Sequence, residues 1–209
     1  MNFIKALQWR YACKKMNGNA IPQEKLDTIL EAVRLSPSSF GLMPFSVIVV
    51  TDQATKDKLL PVCYNQSQVS SASAILVFAP WKEVTPAHIA EFIQEIVDAR
   101  GVSAESLEVY AQMIAGKVNG STPEAIFQWS AKQAYIALGF AMAAAAIEEV
   151  DATPMEGFNP AGVNEVLGLE AKGLSAVCLL PLGYRDEAND FLANAPKVRR
   201  SKEKLFIKM

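Results

Sequence analysis

The longest helical pattern in the chain starts at Thr122-Pro123-Glu124, a capping residue followed by a proline suited to the first turn, and runs to about Glu149. Its later part, Ala141 to Ala146, is nearly all alanine. Small side chains let a second helix approach closely, so a central core or interface helix is expected here. Shorter elements alternate around it. Phe45 to Thr51 and Ala74 to Ala79 are apolar runs expected as buried strands, the first rich in β-branched residues. Ser175 to Leu182 is expected as a third, with Pro181 placing its C-terminal part at an edge or past the ladder. Helical patterns cover Asn2 to Trp9, a stretch from Ile21-Pro22 to Ser36-Pro37, and one capped by Asp52 that runs to about Val62. Two more fall within 86–118, split near Gly101, and a short one runs from Pro160 to near Gly168. With no repeat and no linker, the pattern predicts one α+β or α/β domain over residues 1–209.

Apolar residues are 51% of the 209 and charged residues 20%, which excludes a disordered, collagenous or disulfide-rich chain. The net charge of −2 says nothing about partners, but its distribution does. The first twenty residues hold Lys5, Arg10, Lys14 and Lys15 and no acid. Lys197, Arg199, Arg200, Lys202, Lys204 and Lys208 face only Glu203 in the tail, and without that tail the balance is 14 basic to 21 acidic. Two short basic clusters at opposite chain ends suit one compact dianion. A nucleic-acid surface would spread its cations over a face with interleaved aromatics, so no nucleic-acid partner is expected. Cys13, Cys63 and Cys178 form no C-x-x-C pair, which supports neither a disulfide framework nor a zinc site and suits a reducing cytoplasm. No export signal is read at the start, and Gln133 to Ile147, the most apolar stretch, is too short to span a bilayer. No metal and no membrane are therefore expected. Dinucleotide, P-loop, serine-hydrolase and zincin signatures are missing, and His88 is the only histidine.

Four segments carry residues that packing does not ask for: Arg10-Tyr11-Ala12-Cys13-Lys14-Lys15, Ser36-Pro37-Ser38-Ser39-Phe40-Gly41-Leu42-Met43-Pro44-Phe45, Pro154-Met155-Glu156-Gly157-Phe158 and Pro196-Lys197-Val198-Arg199-Arg200. Each has an ordinary explanation. Arg10 and Lys14 suit a solvated helix end, Ser-Pro-Ser-Ser is good turn chemistry, and a loop Gly157 commonly supplies positive φ.

In this order and at these spacings, the segments resemble the nitroreductase family of FMN-dependent NAD(P)H oxidoreductases. Asn65, within Tyr64-Asn65-Gln66-Ser67-Gln68, is a fifth match. The resemblance implies an α+β three-layer sandwich, with a mostly antiparallel central sheet flanked by helices, assembled as an intertwined homodimer. It implies that Arg10, Lys197 and Arg199 bind the FMN phosphate, with Tyr11 and Ala12 beside them. Lys14, Asn65 and Gln68 would serve the ribityl and pyrimidine side of the flavin. Pro154, Met155, Glu156 and Gly157 would lie over the ring, with a backbone amide directed at N5. Pro37, Ser38, Ser39 and Gly41 would reach the flavin of the opposite subunit. The tail from about 196 to 209 would cross to the partner, with Leu205-Phe206-Ile207 as a strand on its sheet edge.

The implied activity is ping-pong hydride transfer through N5, from NADH or NADPH to a small-molecule acceptor such as a nitroaromatic or quinone. The catalytic chemistry belongs to the flavin, which Lys14, Glu156 and Gly157 tune. Flavin destruction, dehalogenation, azoline oxidation and a non-catalytic FMN-binding module use the same motifs and stay open. Three departures stand out. Ala12 lacks a hydroxyl common at its position, Gln68 stands where many relatives carry lysine, and Gly41-Leu42-Met43-Pro44 replaces Asn-x-Gln-Pro. Tyr64, Phe40 and Phe127 are candidate pocket walls.

Overall fold

The computed structural model describes residues 2–209. Helix α1 (Phe3–Trp9) starts on Asn2, whose side chain accepts from the Lys5 amide. Helix α2 (Gln23–Arg34) buries Leu26, Ile29 and Val33 on one face and stops just before Ser36-Pro37. Strand β1 (Phe45–Val50) leads to α3 (Gln53–Val62), which is capped by Asp52 as the sequence predicts. Then come the single turn α4 (Ser67–Ser71), β2 (Ala74–Pro80), α5 (Pro86–Arg100), α6 (Glu108–Asn119) and α7 (Pro123–Ile147). The chain continues through β3 (Asp151–Ala152), α8 (Pro160–Leu167), β4 (Cys178–Gly183) and the single turn α9 (Lys202–Leu205).

The four strands form one antiparallel sheet in the order β1-β2-β4-β3. Strand β2 is buried along its whole length, because helices cover both faces of the sheet. Its alternate residues divide accordingly. Ala74, Leu76 and Phe78 join α2 and α7 in one core, and Ile75, Val77 and Ala79 join α3 and α8 in the other. This is the expected three-layer α+β sandwich. A third cluster, around Ile89, Ile93, Ile114 and Ile126, seats α5 and α6 against the start of α7.

Pro181 departs from expectation. It lies inside the sheet, opposite Ile75, in a strand flanked on both sides. Its carbonyl accepts from the Thr153 amide on the β3 side. The missing N–H would point to that same side, where β3 has already ended, so the ladder to β2 loses no donor. In the tail, Lys202–Leu205 is a helical turn, and Leu205, Phe206 and Ile207 are exposed.

The alanines of α7 resolve the core-or-interface alternative. Ala134, Ala137, Ala141 and Ala145 are fully buried in the core shared with α2 and β2. On another face Ile136, Phe140 and Ile147 are exposed, and α1, which packs against α7, exposes Phe3, Ile4 and Leu7. With both faces apolar, no periodicity separates them. At 25 residues, α7 is also long and apolar enough to cross a membrane by length and composition, contrary to the shorter span read from sequence; it has ten buried residues within this fold.

Ala141 has no exposed surface, so Ala141→Leu should overpack the α2–α7 contact and cost about 1–3 kcal/mol. A lowered urea midpoint at unchanged slope is expected; an unchanged midpoint would mean that the contact has room.

Candidate functional site

Helix α1 ends because Arg10 turns to extended backbone, and the chain from there crosses under the β3–β4 end of the sheet. Met16 bridges Arg185, and Thr153 Oγ1 donates to the Cys13 carbonyl. The Lys14 carbonyl accepts from Ser67 Oγ at 3.0 Å, which brings the first turn of α4 alongside. Tyr64 and Asn65, both at positive φ, end α3 and swing the chain into that turn. Gln66 Nε2 then donates to the Gly157 carbonyl at 2.6 Å and to the Cys63 carbonyl at 3.0 Å. Gln68 is buried, with its amide directed at Gln66 Oε1 and the Met155 sulfur. Met155 is fixed by two backbone bonds to Leu179, and Glu156 Oε1 accepts from Tyr135 Oη at 2.6 Å. Residues 10–15, 65–68 and 154–157 thus form one contiguous surface.

The basic tail returns to this surface. Lys197 Nζ donates to the carbonyls of Leu7 and Arg10, capping the end of α1. Arg10, Lys197 and Arg199, with Tyr11, Ala12 and Pro154, line a cleft of about 430 Å³. Burial, then the charge of Arg199, hold the Arg10 guanidinium below its ordinary proton affinity. Burial, then Arg10 and Arg199, do the same to Lys197. Arg10 Nε is buried and has no acceptor among the described residues. These cations crowd one another around the cleft. Arg185, on the same wall, is already committed. It forks onto Asp151 at 2.7–3.0 Å and stacks over the rings of Trp9 and Tyr11 at 4.2 and 4.6 Å.

Asp190 holds the two chain ends together. Its Oδ2 accepts from Tyr11 Oη at 3.0 Å and from the Lys14 amide at 2.7 Å, and its Oδ1 accepts from the Leu192 amide. Sequence reasoning missed Asp190, Asp151, Arg185 and Tyr135, whose partners lie 21 to 179 residues away. Gln66 sat inside a quoted motif without a role.

The serine loop lies elsewhere. Ser38 Oγ accepts from the Met43 amide, the Ser39 amide donates to Gln133 Oε1, and the Phe40 carbonyl accepts from Tyr110 Oη. Pro37 leads into it. Gly41 adopts φ +71, which glycine tolerates, but Phe40 at +58 and Met43 at +48 are strained, at a cost of about 1–3 kcal/mol each. No hydrogen bond or shared cleft joins this loop to Arg10 among the described residues. Phe40 packs edge-on against Tyr110 and Trp129, whereas Tyr64 is exposed. Gly157 differs from the expected loop glycine. Its φ is not positive, and an added Cβ would meet nothing nearer than Gln66 Nε2 at 3.6 Å. Neither the backbone nor the packing of this chain requires a glycine there.

Residues 7–184 match the Nitroreductase family. The chain belongs to that family. A relative named major NAD(P)H-flavin oxidoreductase, from Aliivibrio fischeri, is 30% identical over 207 residues, covering 96% of this chain and 95% of its own. A structure from Exiguobacterium sibiricum, solved in complex with FMN, superposes with a TM-score of 0.86 at 21% identity, covering 100% of this chain and 98% of that one. A nitroreductase family protein from Streptococcus pneumoniae gives 0.82 at 20% identity, with both chains covered completely. The nitroreductase fold of this chain therefore rests on a whole-length likeness.

In this family member the acid limit should pass through Asp190. Burial raises its pKa, but hydrogen bonds, chiefly from the Leu192 and Lys14 amides, outweigh it and hold the carboxyl below its ordinary value. A depressed carboxyl contributes stability above its unfolded pKa of about 3.9 and loses it as the pH falls through the lower folded value. Asp190→Asn should thus cost about 1–3 kcal/mol at pH 7. The gap to the parent protein, measured by urea melts, should close below about pH 4; a gap constant with pH would remove Asp190 from this role.

Proposed function

We propose that this chain is an FMN-dependent NAD(P)H oxidoreductase, acting on small nitroaromatic or quinone-type acceptors. The observation that carries the reading is the buried Arg10 Nε without an acceptor, in a cleft where burial and then the neighbouring cations hold Arg10 and Lys197 below their ordinary proton affinity. A phosphate monoester supplies the missing anion, and guanidinium forks suit its oxygens. Ala12 offers no hydroxyl, so the three cations carry that contact, with Tyr11 braced by Asp190. Lys14, Asn65 and Gln68 stand along the pyrimidine side, where a cation and amides favour negative charge on the reduced ring. Pro154, Met155, Glu156 and Gly157 form the floor. Gly157, which the chain's own packing does not require, leaves that floor open to a flat ring.

When bound, FMN supplies the hydride chemistry, accepting from NADH or NADPH and delivering to the acceptor. The side chains bind, orient and tune; none need act as an acid, because water can protonate a small acceptor. The three free, buried cysteines suit the reducing cytoplasm in which we place the enzyme. The active unit is a homodimer. Pro37, Ser38, Ser39 and Gly41 form a strained loop away from the chain's own cleft, which suits service in a partner's site. The exposed Ile136, Phe140 and Ile147 on α7 supply apolar surface for a second copy, and the exposed tail from 196 supplies an arm.

The purified protein should be yellow, release FMN on denaturation, and bleach in stopped flow with NADPH or NADH. FAD in the released fraction, or no bleaching with either donor, would overturn the assignment. Arg10→Ala and Arg199→Ala each remove a charge-assisted phosphate contact of about 1.5–3 kcal/mol. The FMN dissociation constant should rise about ten- to a hundredfold; equal affinity in both variants would place the phosphate elsewhere.

Deleting residues 201–209 leaves Lys197 and Arg199 but removes the apolar end of the arm. Sedimentation with parallel flavin and protein absorbance should show easier dissociation and FMN loss together. A full-length monomer that retains FMN would defeat the composite site.

A further inference from the structure

We infer that Tyr135 is a positioning residue which, with Gln66, holds the Glu156-Gly157 backbone at a set orientation toward the bound flavin ring. This rests on the reading that FMN occupies the cleft. The loop is fixed on its near side by the paired Met155 and Leu179 backbones, and it tightens on itself where the Phe158 amide donates to the Glu156 carbonyl at 2.9 Å. Gln66 Nε2 pulls on the Gly157 carbonyl at 2.6 Å, and Gln66 is itself anchored to the Cys63 carbonyl. Tyr135 Oη, on α7, takes the Glu156 carboxylate at 2.6 Å and lies 3.3 Å from the Val177 carbonyl. Tyr135 on the long helix α7 and Gln66 at the N-cap of α4 therefore grip a two-residue segment from opposite ends. The amides of Glu156 and Gly157 donate to no acceptor among the described residues.

An exposed loop glutamate is ordinarily solvated and mobile, but this one is tied. Burial, then hydrogen bonding to Glu156, raise the Tyr135 phenol well above its usual value, so it stays a donor throughout the working range. The clamp therefore aims the two free amides rather than a titrating side chain. A held N–H favours the oxidised ring, whose bare nitrogen accepts it. The reduced ring carries a proton there and accepts less well. The grip therefore binds oxidised FMN in preference to reduced FMN.

Tyr135→Phe keeps the ring and removes the hydroxyl. With the grip loosened, oxidised FMN should bind about tenfold more weakly relative to reduced FMN, raising the midpoint potential by about 30 mV for two electrons. Glu156→Ala should shift it in the same direction, and the double variant should move no further than the larger single one, because the two side chains act as one contact. Arg10→Ala weakens both redox forms alike and should leave the potential in place while the dissociation constant rises. Dye equilibration under xanthine oxidase reduction measures all four. A wild-type potential in Tyr135→Phe, or shifts that add in the double variant, overturns the inference while leaving the FMN reading intact. A parent protein that takes up no FMN overturns both.

Discussion

Asp151 is nearly devoid of solvent, and a buried carboxylate without a partner would be untenable. Arg185 satisfies it with a bidentate fork, and that pair organises the end of the molecule where the chemistry is placed. It sits where β3 meets the end of β4, so it closes the sheet's far edge. The same guanidinium stacks on Trp9 and Tyr11, so the first residues past α1 settle on it. Removing either partner would strand the other, a loss of about 3–5 kcal/mol in comparable pairs. The cleft lined by Arg10, Lys197 and Arg199 is thus assembled beside a pair that is itself electrically closed.

That closure gives the other cations their meaning. Arg185 has its carboxylate, whereas Arg10, Lys197 and Arg199 crowd together without one, and burial together with that crowding lowers the proton affinity of Arg10 and Lys197. A fold that merely needed solubility would point such groups outward. Here Arg10 keeps a guanidinium nitrogen buried, Lys197 caps the end of α1, and Asp190 binds the two chain ends that supply them. The cations are held by contacts made before any ligand arrives, so little ordering would remain to be done on binding.

The floor of the site follows a different logic. It is a loop in which the carbonyls of Met155, Glu156 and Gly157 and the Glu156 carboxylate are engaged, by Leu179, Phe158, Gln66 and Tyr135, while the amides of Glu156 and Gly157 stay free. Engaging the acceptors and sparing the donors leaves a fixed dipole surface, which suits tuning a flat redox ring better than flexible side chains would. The strained serine loop is clasped by Gln133 and Tyr110 instead, and so belongs to a different part of the surface.

Local chemistry alone determined much of this. Proline and capping residues set the helix starts at Asp52 and Thr122, apolar runs set β1 and β2, and the unbalanced basic ends return together to one cleft. The likeness of spaced motifs carried the antiparallel sandwich, which patterning could not distinguish from α/β because β2 is buried on both faces and shows no alternation. Pro181 misled because a proline's cost depends on which side its missing donor faces, and only the neighbouring strand decides that. Asp190, Arg185, Gln66 and Tyr135 were silent in the sequence for one reason: hydrogen bonds between groups far apart along the chain leave no periodicity, and only the packing of α7, β4 and the two chain ends brings them within reach.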